Sequence, residues 1–302
     1  MGLDKTSFLL IKNFLLPHSF GQPKILIAGR PKVFFSKSIA EYIIPEYPFS
    51  SQLPYYAESL IAFLFSVSED FIHILDRSNF EGASITFDLS QTPSFSLDTA
   101  HYDIVLDLGT SEHVSSPVNS VFNLLSFVKP GGLYLCISPH TNNPDHGLVT
   151  FSRSFFESLD LLPQLTLVNH FVYKESVSSI PSFTVWDCDT NQFRAHLPGL
   201  DGSCFSNVLS LLNLCTNHFV LYKVVAAFDD LSVSLGYVNQ LVYLRRYGDD
   251  DLLVQIPMKY RSTIYMKNIF LLKLLMKFNS YFCSLFILCF YMRSVRLQLG
   301  PS

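Results

Sequence analysis

Two short segments hold most of the side chains able to do chemistry: Glu112-His113, and the run from His140 to His146, HTNNPDH. Imidazoles and carboxylates that meet in a cleft serve as general acid and base, or together hold a divalent metal. Glu112, His113, His140, Asp145 and His146 are therefore read as one converging set. Taken singly, each is more often a solvated loop residue or a helix cap, a use also open to Ser111 and Ser115. Two further acids, Asp76 and Asp88, each close a short apolar run. An acid in that position commonly opens a turn.

The elements around these residues follow from hydrophobic spacing. Tyr102 to Leu108 is an apolar run broken only by acids, the pattern of a buried parallel strand. Val118 to Val128 places Val118, Val121, Phe122, Leu124, Leu125 and Val128 on one helical face. Lys129-Pro130-Gly131-Gly132 stops that helix, and Leu133 to Ile137 returns as strand. Such a crossover requires a parallel sheet. Loops leaving the carboxyl ends of parallel strands line the ligand crevice, and neighbouring strands lie about 4.8 Å apart. The two chemistry-bearing segments therefore reach one pocket.

Upstream, Ser7 to Leu16 reads as a helix ended by Pro17, and Lys24 to Ala28 as a strand leading into Gly29-Arg30-Pro31. Pro54 to Val67 is helical, Phe71 to Leu75 is a strand ending at Asp76, and Ala83 to Phe87 is a strand ending at Asp88-Leu89. Downstream, a helix over Phe151 to Leu161 has Ser152 as its N-cap. Leu165 to Tyr173 and Ser182 to Asp187 are β-like, with Phe183, Trp186 and Phe193 read as core or as a substrate wall. Cys204 to Leu214 reads as a helix. Phe219 to Ala227 and Tyr237 to Arg245 read as a closing antiparallel hairpin.

DLGTSEHV followed by FVKPGGLYLCISP resembles the fourth and fifth strands of class I S-adenosylmethionine-dependent methyltransferases, and NNPDHGLVTFSRSFFESL is similar to a segment of bacterial members. The likeness spans roughly Gly21 to Leu159. It implies a Rossmann-like α/β fold with sheet order third, second, first, fourth, fifth, and S-adenosylmethionine as cofactor. It further implies that Gly29 forms the first turn, Asp76 meets the ribose, Asp88 and Leu89 meet the adenine, and Asp107 and Gly109 stand at the end of the fourth strand. His113 or His146 is then the base, with Glu112 orienting it. Glu112-His113 also resembles the metal-touching pair of quinone-pathway O-methyltransferases. The acid those enzymes place just upstream is absent, since Gly109 and Thr110 stand there, so acid–base chemistry ranks above a metal. The usual first turn holds several glycines where this chain has only Gly29. The rival reading is accordingly a non-catalytic binding module, whereas a nicotinamide-dependent reductase lacks its glycine fingerprint.

Across 302 residues, 49% apolar and 15% charged composition excludes a disordered chain. A net charge of −4 argues against general nucleic-acid binding. Six cysteines without a CxxC pair indicate reduced thiols, and with no evident signal peptide the chain is expected in the cytoplasm. MGLDKT matches a myristoylation pattern that also arises by chance. Three parts are expected: an N-terminal helical segment over 1–20, a methyltransferase-like domain over 21–247, and an apolar extension over 248–302. Lys267, Lys273 and Lys277 interrupt the extension, so it falls short of the about 20 apolar residues of a spanning helix. It reads as a surface-binding helix, a covering helix or an unselected extension, and the acceptor as a small molecule or glycan.

Overall fold

The computed structural model describes residues 2–49, 52–79, 81–92, 100–141, 146–173, 183–188, 192–196, 216–226 and 228. The expected helix over 204–214, the strand over 237–245, the extension over 248–302 and Asp145 lie outside the described residues. So do the side chains of Phe183, Trp186 and Phe193.

The strands in chain order are β1 (Gly2–Leu3), β2 (Ile25–Ala28), β3 (Lys32–Val33), β4 (Ile72–Asp76), β5 (Ile85–Thr86), β6 (Tyr102–Leu108), β7 (Val128–Thr141), β8 (Leu165–Tyr173), β9 (Phe183–Asp187), β10 (Gln192–His196) and β11 (Thr216–Val224). Five α-helices accompany them: α1 (Lys5–Leu10), α2 (Lys37–Ile43), α3 (Glu58–Phe65), α4 (Pro117–Ser126) and α5 (Arg153–Leu159). The main sheet runs β10-β9-β8-β11-β7-β6-β2-β4-β5. Strands β5, β4, β2, β6 and β7 are mutually parallel, which is the expected order third, second, first, fourth, fifth. Beyond β7, strand β11 inserts antiparallel to both β7 and β8. The result is a sheet that is parallel from β5 to β7 and antiparallel beyond, flanked by helices, a Rossmann-like α/β fold.

The parallel strands read as unbroken apolar runs because both of their faces are covered. Ile25, Ile27, Ile104 and Leu106 pack with Phe8, Leu10, Leu60 and Leu64 on one side. Leu26, Val105, Tyr134 and Cys136 pack with Val121, Phe122, Leu125 and Phe156 on the other. Full burial of each such aliphatic or aromatic side chain stabilises the fold by roughly 1.5–3 kcal/mol.

Several boundaries differ from the sequence-based expectation. Helical structure begins at Lys5, where Asp4 caps the amides of Thr6 and Ser7, and it runs through π and 3-10 turns to His18. The fourth helix ends at Ser126, because Val128 already pairs with Tyr102. Lys129 to Gly132 then loop out of β7, and the register resumes at Leu133 opposite Ile104. Gly131 supports this excursion with φ +88°. A Cβ on Gly132 would stand 2.8 Å from the Asp103 carbonyl oxygen and 2.9 Å from that of Lys129. Gly132→Ala is therefore expected to destabilise the fold by about 1–3 kcal/mol, measured by urea denaturation.

Candidate functional site

Between β2 and β6 the chain order of the sheet reverses, which opens a crevice at the carboxyl edge. Thr110 spans it, its hydroxyl donating to the Ala28 carbonyl at 2.6 Å. Behind it, Asp107 is fully buried, its Oδ1 accepting from the amides of Thr110 (2.9 Å) and Ser111 (3.3 Å). Its Oδ2 faces Tyr134 Oη at 3.4 Å and Cys136 Sγ at 3.7 Å. Asp107 thus holds the loop that follows β6. Burial also pushes the Cys136 thiol well up, which makes it an inert core residue.

That loop turns through Ser111–His113 and carries Glu112 into the interior. Glu112 is fully buried, and neither carboxylate oxygen has a hydrogen-bond partner among the described residues. The loop after β7 lands on it: the amides of Leu148 and Val149 donate to the Glu112 carbonyl at 2.7 and 3.2 Å. Gly147, at φ +83°, lies so close that a Cβ would stand 2.9 Å from Glu112 Cγ. The landing brings His146 Nε2 within 3.6 Å of Glu112 Oε1. The His113 and His146 rings are 5.4 Å apart. Burial first, and the nearby Asp107 second, push the Glu112 carboxyl up to about 8. Burial lowers both imidazoles from their ordinary value. At neutral pH the pair is therefore a protonated acid beside a neutral imidazole, not an ion pair.

A cavity of about 280 Å³ opens onto this cluster, near the lower limit of the about 300–1,000 Å³ common for ligand pockets. Gly109, Glu112, Ser138 and His146 line it from the sheet edge. Asp4, Ser7, Phe34 and Tyr173 also line it. Ser138 Oγ is buried without a partner among the described residues, whereas Ser7 Oγ and Tyr173 Oη share a hydrogen bond of 2.8 Å.

His140 does not join Glu112. It packs against His218, the ring centroids 4.3 Å apart and the planes tilted by 51°. His218 in turn meets His170 at 3.1 Å and the Phe151 carbonyl at 3.2 Å. Burial lowers all three of these imidazoles, His170 to about 3. They form a neutral core cluster, and nothing local in the sequence links three residues so far apart.

The residues expected to meet an adenosine stand at or just after the carboxyl ends of β2, β4 and β5. Gly29 takes φ +67°, and its amide donates to the Leu75 carbonyl at 2.7 Å. Asp76 Oδ1 accepts from the Ser78 amide at 3.1 Å. Asp88 Oδ1 accepts from the amide and hydroxyl of Ser90, which hold its carboxyl below the usual range. Leu89 is buried, and its carbonyl accepts from Asn123 at 3.0 Å.

The first turn itself is rebuilt. The chain leaves after Pro31 and returns before Ala57, closed by hydrogen bonds of 3.0 Å from Ala57 to Pro31 and from Val33 to Tyr55. Arg30 pairs with Glu58, donates to the Glu81 carbonyl and stacks 4.1 Å above the Tyr56 ring.

No protein-family model matches the chain, and no curated protein matches it. Solved structures do align. The O-methyltransferase from the trans-AT PKS multienzyme of Brevibacillus brevis, in complex with S-adenosyl-L-homocysteine, is 12% identical over 78% of this chain and 77% of its own, at a TM-score of 0.37. The 1,6-didemethyltoxoflavin-N1-methyltransferase of Burkholderia thailandensis, with bound 1,6-didemethyltoxoflavin and S-adenosylhomocysteine, is 11% identical over 72% and 79%, at 0.35. The [4+2]-cyclase SpnF is 10% identical over 73% and 80%, at 0.35. Likenesses of this size assign neither a reaction nor a ligand to this chain. Among the described residues no helix is long and apolar enough to cross a membrane.

Proposed function

We propose that the chain is an S-adenosylmethionine-dependent methyltransferase acting on a small acceptor held in the cavity beside Glu112. The observation that carries this reading is a buried, unpartnered carboxyl group facing a cavity at the carboxyl edge of a sheet with this strand order. The strand-end residues fit the adenosine half of such a cofactor. Two carboxylates, Asp76 and Asp88, close β4 and follow β5, and Gly29 turns in the left-handed region without a side chain. When bound, the cofactor supplies the electrophilic methyl group. The chain's own part is to orient the acceptor, exclude water from it and receive its proton. His146 is the imidazole on the cavity wall, with Glu112 Oε1 3.6 Å from its Nε2.

The test is calorimetric titration of the whole chain with S-adenosylhomocysteine. Binding of one equivalent supports the reading, and Asp76→Ala should then weaken affinity by about 1.5–3 kcal/mol, roughly 10- to 150-fold. A second reading, a binding module without cofactor, is favoured by Arg30, whose bulk and partners occupy the first turn. Absence of binding to the folded chain would establish that second reading in place of the first.

A further inference from the structure

We infer that Glu112, His113 and His146 form a binding site for a divalent transition-metal ion of the zinc, cobalt or manganese type. One donor atom from each residue lies within 4.8 Å of the others. The separation between Glu112 Oε1 and His146 Nε2, 3.6 Å, is too long for a hydrogen bond. It is close to the edge between two ligands of a single ion. Bonds of about 2.0–2.1 Å at a tetrahedral angle place neighbouring ligand atoms about 3.4 Å apart. An ion between the two residues therefore requires only small movements.

The second observation concerns Glu112 alone. It is fully buried, and neither oxygen has a hydrogen-bond partner among the described residues. A buried polar group left unpaired is costly, and more so when charged. A cation supplies the missing partner. The backbone sets the two residues side by side, because hydrogen bonds of 2.7 and 3.2 Å from the Leu148 and Val149 amides to the Glu112 main-chain carbonyl fasten the His146 loop there. Gly147 permits that contact, since a Cβ there would strike Glu112 Cγ at 2.9 Å.

The donor set selects the ion. Two imidazoles and one carboxylate suit zinc, cobalt, manganese or ferrous iron, whereas magnesium and calcium prefer oxygen ligands throughout. Both imidazoles are exposed, so the ion has an entry path. Three protein ligands leave a coordination position open, as in catalytic and not structural zinc sites. This inference is independent of methyl transfer, since it needs neither cofactor nor acceptor. The two nonetheless interact. An imidazole nitrogen holds either an ion or a proton, so loading the site is expected to suppress His146 as a base.

The experiment uses the full chain, stripped with a chelator and titrated with zinc chloride, with magnesium chloride as the contrast. One equivalent of zinc and no magnesium is the expected result. Glu112→Gln and His146→Ala should each weaken zinc binding by more than about 100-fold, beyond the 10–100-fold loss of an outer-shell partner. His18→Ala, at an exposed histidine elsewhere, should leave it unchanged. Zinc binding that survives both substitutions would overturn the proposal, as would its absence from the wild type. A cobalt spectrum of the wild type adds a readout that depends on no variant. Nitrogen and oxygen coordination is expected, and thiolate charge-transfer bands would place the ion at cysteines and overturn the assignment.

Discussion

Replacing His146 by alanine is expected to lower methyl-transfer turnover by about 10²–10⁴-fold while leaving S-adenosylhomocysteine affinity unchanged. His146 lines the cavity, and its side chain is 42% exposed, so truncation removes little core packing. Its role in the proposed reaction is toward the acceptor, so the loss should fall on turnover. His113→Ala should cost less, because His113 does not line the same cavity wall. The measurement is turnover and cofactor affinity in the same variant, with a chelator present to keep the imidazoles free of metal. Loss of both quantities together would mean that His146 supports the loop. Loss of neither would leave methyl transfer to positioning alone.

The second large effect is an acid instability seated in the His140–His170–His218 cluster. Burial holds the folded pKa of His170 near 3, against 6.5 for an ordinary imidazole. Below pH 6.5 the unfolded chain therefore binds a proton that the folded chain refuses, so stability falls as pH falls. The contribution is complete above pH 6.5 and declines down to about pH 3. At about 1.36 kcal/mol per pH step, His170 alone should remove about 3 kcal/mol by pH 4. His140 and His218 are displaced in the same direction and for the same cause. Glu112, pushed from 4.5 up to about 8, acts with opposite sign: its stabilisation is present below pH 4.5 and lost as pH rises toward 8. The histidine effect is therefore read as a difference. Urea denaturation of wild type and His170→Gln from pH 7 to pH 4 should give a clearly shallower decline in the variant. Parallel curves would remove His170 from the acid response.

Both effects depend on contacts that no stretch of sequence contains. Periodicity and punctuation place the parallel strands, because a strand covered on both faces must be apolar throughout, as Tyr102–Leu108 is. Local chemistry also identifies Ser152 as a cap, and its hydroxyl accepts from Phe155 as expected of an N-cap. The short β1–β3 pairing is not legible, since Gly2 finds its partner at Lys32, far along the chain. Nor is the length of β5, two residues where five were expected, because its ladder depends on how much of β4 it meets. The candidate site divides in the same way. Loops at one sheet edge follow from strand order, so the meeting of Glu112, His113 and His146 is implicit in the topology. The burial of Glu112 is not, because a Glu-His pair in a polar loop looks solvated until Gly147 packs on the Glu112 side-chain stem and the amides beyond it bond to the Glu112 main-chain carbonyl. Place in the chain groups His140 with Glu112, yet its ring packs against His218, which β11 brings alongside β7. Pattern within a window determines which segments become strands and helices. Desolvation, and with it the protonation of Glu112 and His170, is decided by segments that arrive from elsewhere in the chain.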